Sequence, residues 1–92
     1  MRTLTTTISF ETLYDFLEDV RLFEHEKKQK VVEVFLGVEN FFKLQEMTIE
    51  KYGFNNKLEF ECFNLYSFKV KIDDSLKSMV KYCYRNEEIF DL

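Results

Sequence analysis

Hydrophobic and polar positions alternate, then cycle, along this chain, and the changes of period mark its elements. In Thr3 to Ser9, Leu4, Thr6 and Ile8 alternate with Thr3, Thr5 and Thr7, the two-residue period of a β-strand. One face of that strand is wholly threonine, which suits a sheet edge. Ser9 stands where a helix N-cap is wanted. Phe10, Leu13, Phe16, Leu17, Val20 and Phe23 then fall within about 140° of a helical projection. Glu11, Asp15, Glu18 and Asp19 lie on the far side, with Leu22 among them. The run 24–30 either extends this helix through Glu24/Lys28 and Glu26/Lys30 pairs or forms a solvated loop. Val31 to Leu36 is rich in β-branched residues and stops at Gly37, so it reads as a strand. From Val38 to Tyr52 the spacing predicts a helix with Val38, Phe41, Phe42, Leu44, Ile49 and Tyr52 on one side, and Gly53 at its C-cap. A second long strand is the competing reading of this stretch.

Leu58 to Ile72 reads as a hairpin. A register pairing Cys62 with Phe68, Phe60 with Val70 and Leu58 with Ile72 makes one face apolar. The same register sets Glu61 against Lys69 and Glu59 against Lys71, opposite charges directly across the ladder. Asn64, Leu65 and Tyr66 then form the connection. Asp73, Asp74 or Ser75 is placed to cap a last helix that buries Leu76, Met79, Val80, Cys83 and Phe90. Lys77, Lys81 and Arg85 would form its outer basic row. Met79 to Tyr84 is also strand-like in composition. The expected order is β-α-β-α-β-β-α: a single α+β domain over residues 1–92, with two or three helices on one face of a mainly antiparallel sheet of three to five strands.

Composition sharpens this picture. At 46% hydrophobic with a net charge of −4, the 92-residue chain is too apolar for intrinsic disorder. No run of eighteen apolar residues occurs, and no signal peptide is read at the N-terminus. Two cysteines do not make a multi-bridge secreted scaffold, so a cytoplasmic protein is expected. Eleven Phe, five Tyr and ten Lys stand against two Gly, no Pro and no Ala. That is the alphabet of A/T-rich codons, and it suggests a low-GC bacterium or a phage or plasmid resident in one. A domain this small buries roughly 60–65% of its unfolded surface, so some of its many rings are expected to stay outside as patches for a partner.

Candidate chemistry is sparse. Cys62 and Cys83 are the only thiols, and both read as small buried hydrophobes. A catalytic thiolate needs a base, and the one histidine, His25, sits apart in a charged segment. Glu24, His25 and Glu26 are adjacent on a helix and point about 100° apart, so no metal site is expected. Gly37 and Gly53 stand alone rather than in a phosphate-binding loop. No cofactor and no catalytic residue is predicted. Lys77, Lys81 and Arg85 beside Tyr82 and Tyr84 resemble a small nucleic-acid footprint, but the chain is acidic, with Glu87, Glu88 and Asp91 close by. The first helix is more distinctive. Residues 10–26 carry six carboxylates (Glu11, Asp15, Glu18, Asp19, Glu24, Glu26) against Arg21.

The expectation is a non-enzymatic module that binds a protein partner through Glu11, Asp15, Glu18 and Asp19, with Leu22 and Phe23 as an apolar anchor. One concrete form is a phage- or plasmid-encoded inhibitor that fills the basic groove of a host nucleic-acid enzyme, such as a defence nuclease. The alternatives are a homo-oligomer with rings buried between subunits, its first strand or hairpin edge pairing across a two-fold axis, and a small nucleic-acid binder using Lys77, Lys81 and Arg85.

Overall fold

A computed structural model describes residues 2–52, 62–65 and 67–85. The chain runs β1 (Arg2–Thr7), α1 (Leu13–Lys27), β2 (Lys30–Leu36), α2 (Val38–Tyr52), β3 (Cys62–Leu65), β4 (Phe68–Ile72) and β5 (Met79–Arg85). The strands form one sheet in the order β1-β5-β2-β4-β3. β5 lies antiparallel between β1 and β2, β3 is antiparallel to β4, and only β2 and β4 pair in parallel. This is the α+β fold the periodicity predicts, with its helices on one face of a mainly antiparallel sheet.

The core lies between that face and the helices. Phe16, Val20 and Phe23 of α1 and Phe41 and Leu44 of α2 join Val31, Val34, Val70, Val80 and Tyr82 in one cluster. Phe23 lies 4.6 Å from the Tyr82 ring and 5.1 Å from Tyr84, and Phe10 meets Phe16 edge-on at 5.3 Å. With no alanine in the chain, the core is filled by Leu, Val and Ile together with seven aromatic rings among its seventeen residues. Such ring pairs add about 0.5–1.5 kcal/mol beyond their buried area.

Local chemistry sets the ends of α1. Thr12, not Ser9, is the N-cap: its hydroxyl accepts from the Asp15 N–H at 3.0 Å, while Asp15 Oδ2 accepts from the Glu11 N–H at 3.2 Å. That reciprocal pair has the logic of a capping box. Phe10 is buried from the approach to the helix rather than from within it. Lys28, at φ 53°, ends the helix in the left-handed conformation. Glu24 turns away from Lys28: it accepts from the Val31 N–H at 2.9 Å and lies 3.8 Å from Lys30.

Two sequence readings need correction. The expected last helix is strand β5, so the order is β-α-β-α-β-β-β. Its apolar residues fit both periods over so short a run, and burial separates them. Val80, Tyr82 and Tyr84 alternate inward, whereas Met79 is 37% exposed. Leu76 is buried from the preceding turn, and Phe90 lies outside the described residues. The hairpin exists, but Cys62 faces Lys71, Asn64 faces Lys69 and Leu65 faces Phe68. This slides β3 by three residues and exchanges its faces. Leu65, expected at the loop tip, is 3% exposed on the core side. Burying it is worth about 1.5–3 kcal/mol, and the tip position would forgo that. The pairings proposed for Leu58 to Glu61, and the Gly53 cap, lie outside the described residues.

Candidate partner-binding surface

The surface predicted to dock a partner is the outer side of α1. A helix that buries Leu13, Phe16, Val20 and Phe23 turns Tyr14, Glu18, Leu22 and His25 outward at the same spacing. Tyr14 is 65% exposed and Leu22 53%. They stand two turns apart, about 12 Å along the axis, and Glu18 lies between them. The Glu18 carboxylate accepts from the Tyr14 hydroxyl, and that bond with the adjacent negative charge holds the phenol above its usual range. Tyr14, Glu18, Arg21, Leu22 and His25 line one shallow depression on this side.

The predicted site residues divide. Glu11, Asp15 and Glu18 are exposed with Leu22, though Asp15 also caps the helix. Asp19 is half-buried. Partial burial raises its carboxyl above the usual range, and the neighbouring Asp15 and Glu18 charges add to this. Phe23 is 8% exposed and stacked on Tyr82 and Tyr84, so it belongs to the core and not to the surface. Tyr14 takes its place as the aromatic beside the acids. Its position, about 100° from the Leu13 direction, is the signal in the sequence that marks it.

The basic row does not assemble as predicted. Lys81 and Arg85 share the sheet face turned away from the helices, but Lys77 sits in the preceding turn at φ 53°. Tyr82 and Tyr84 point into the core, which removes the rings a nucleic-acid footprint needs. On the outward face Phe35 lies between two lysines instead. Lys81 Nζ is 4.6 Å and Lys71 Nζ 5.7 Å from its ring centroid. Each lysine also has a carboxylate, Lys71 at 2.6 Å from Glu33 and Lys81 at 3.6 Å from Asp73.

Of the remaining chemical candidates Cys83 and His25 are described, and the Cys62 side chain lies outside the described residues. Cys83 is buried on the outward sheet face. Burial and the Glu33 charge push its thiol above the usual range, opposite to what a nucleophile requires. His25 is exposed at the end of α1. Among the described residues, no three His, Cys, Asp or Glu side chains gather into a metal-binding group, and no helix is long and apolar enough to cross a membrane. Compared with known proteins, the chain matches no family model, no curated protein and no solved structure.

Proposed function

We propose that this chain is a non-enzymatic binding module whose outer α1 face docks on a basic surface of a protein partner. The observation that carries this reading is the pairing of Tyr14 and Leu22, the two most exposed large hydrophobic residues described, with the exposed carboxylates of Glu11, Asp15 and Glu18. Apolar and aromatic anchors supply most interface affinity, while acidic groups steer the encounter and select a basic partner. In its concrete form the module acts in the cytoplasm, where its cysteines stay reduced. There it is a phage- or plasmid-encoded inhibitor seated in the nucleic-acid groove of a host enzyme. The A/T-rich residue alphabet supports that origin.

The experiment begins with capture of a partner from lysate of a low-GC bacterium. Binding of that partner is then compared for the wild type and a Glu18→Lys/Leu22→Ala double variant. Both positions are exposed, so folding stability should change by less than about 0.5 kcal/mol per site. Affinity should fall at least about tenfold, or 1.4 kcal/mol, and the salt dependence should weaken. Unchanged affinity with unchanged salt dependence would refute the reading.

A further inference from the structure

Among the described residues β1 ends the sheet, with β5 as its one strand neighbour. Natural edge strands are usually shortened, bulged, or guarded by proline or lysine. β1 has six residues, its register with β5 runs unbroken from Arg2 to Thr7, and Thr3 to Thr7 holds neither proline nor charge. Every residue of the strand except Leu4 is exposed. β1 is therefore an unbulged, threonine-rich edge suited to template another strand.

The helix layer decides what kind of strand would fit. Phe23 stacks on Tyr82 and Tyr84, and the Asp19 charge acts on the Tyr82 hydroxyl. Tyr82 and Tyr84 are the register partners of Leu4 and Arg2. The flank of α1 that carries Asp19 thus lies over β5, on the side of the sheet toward β1, whereas Leu17, Arg21 and Glu24 lie with Ser67 and Phe68 on the other side. At 100° per residue Asp15, Asp19 and Glu26 fall within about 40° on the β1 flank. A strand added to β1 would run along an edge overlooked by this acidic flank.

We propose that β1 accepts an extended segment of the protein partner as a sixth strand, with lysine or arginine side chains on the side facing the helices. Main-chain hydrogen bonds to the open edge give the affinity, and alternate side chains give the selectivity, as in β-strand addition generally. The inference rests on the proposed reading that the partner is a basic protein. It adds that the partner contributes an extended strand as well as a groove. A second copy of this chain fits the edge less well. Its own β1 offers Arg2 alone as a cation, and it would bring its own Asp15, Asp19 and Glu26 toward the same flank.

The test uses the full chain, isotope-labelled for amide NMR, and three synthetic decapeptides. One alternates lysine and threonine, the second glutamate and threonine, and the third is the lysine peptide N-methylated at alternate residues. The lysine peptide should bind and protect alternate β1 amides from exchange at least tenfold. The glutamate peptide should not bind, N-methylation should weaken binding at least tenfold, and Glu26→Lys should weaken the lysine peptide selectively. Equal binding of the N-methylated peptide without β1 protection would overturn strand addition and leave docking on α1 standing. Absence of binding by the lysine peptide would overturn it as well. So would concentration-dependent β1 protection without peptide, which would assign the edge to a second copy. Loss of the α1 effect at Glu18 and Leu22 with β1 protection intact would instead sink the docking face alone.

Discussion

Single residues fix the corner where β2 meets the β4–β5 turn. Gly37 follows β2 directly, and a Cβ there would overlap the backbone carbonyl of Lys77 and lie 2.7 Å from its nitrogen. Backbone cannot retreat as a flexible side chain can. The nearby bond from the Asp73 N–H to the Leu36 carbonyl, at 2.8 Å, holds the two segments together. Gly37→Ala should therefore cost more than about 2 kcal/mol, by overpacking against a fixed neighbour. Lys77 itself has φ 53°, a conformation that costs a non-glycine residue roughly 1–2 kcal/mol. Glycine there relieves that strain but adds unfolded-state entropy. Lys77→Gly should consequently be neutral to stabilising by about 1 kcal/mol. Urea unfolding of the two variants checks both: the Gly37→Ala midpoint should fall and the Lys77→Gly midpoint should not. Part of this corner is legible in the sequence, because Gly37 ends the strand-like run Val31 to Leu36. Its steric reason is not, since Lys77 is forty residues away in the chain.

At the scale of elements, legibility follows how long one period is sustained. α1 and α2 each span fifteen residues, about four turns, and over that length helical spacing outweighs the strand reading that residues 38–52 also allow. β5 has seven residues. There a helical reading of Leu76, Met79, Val80 and Cys83 and a strand reading of Val80, Tyr82 and Tyr84 compete, and tertiary pairing with β1 and β2 decides. The hairpin register fails for a related reason. Matching Glu59 and Glu61 to lysines looks favourable residue by residue, but such pairs are worth only about 0.2–1 kcal/mol each, less than burying Leu65. Within the candidate surface, the exposed acids and Leu22 were legible from the helical projection. Phe23 was expected both on the apolar stripe and as a surface anchor, and its stacking on Tyr82 and Tyr84 keeps only the first of these. At one junction between elements, Glu24 does not pair with Lys28 as its spacing predicts but ties the end of α1 to the start of β2 through the Val31 N–H and Lys30. Glu24→Ala leaves that partly buried N–H without its acceptor and should cost about 1–3 kcal/mol. Glu26→Ala, at an exposed position one turn-half further on, should cost under about 0.5 kcal/mol. Thermal unfolding of the two alanine variants separates a structural carboxylate from a solvated one.

Across the whole molecule, two aspartates respond to pH in opposite senses. Hydrogen bonds from the Ser75 hydroxyl and N–H hold Asp73 below the usual carboxylate range, with Lys81 assisting. A depressed folded value adds stability above the unfolded value of about 3.9 and loses it as pH falls through the folded one. Asp19 is the reverse. Burial beside the core, then Asp15 and Glu18, raise its folded value. The native state therefore holds this proton more tightly than the unfolded chain does, and stability declines as pH rises from the unfolded value through the folded one. At neutral pH the ionised Asp19 is thus a net strain on the fold, kept on the flank of α1 that faces β5. Asp19→Asn keeps the shape and removes the charge. It should raise the urea midpoint at pH 7, change it little at pH 3, and leave the acid-side loss due to Asp73 in place. Asp73→Asn should instead lower the midpoint at pH 7 and flatten the acid limb. An Asp19→Asn protein less stable than wild type at pH 7 would contradict the burial argument. If Asp19→Asn gains stability while binding of a basic partner or of the lysine peptide weakens, the strain at this carboxylate is linked to recognition, a trade of stability for function at one site.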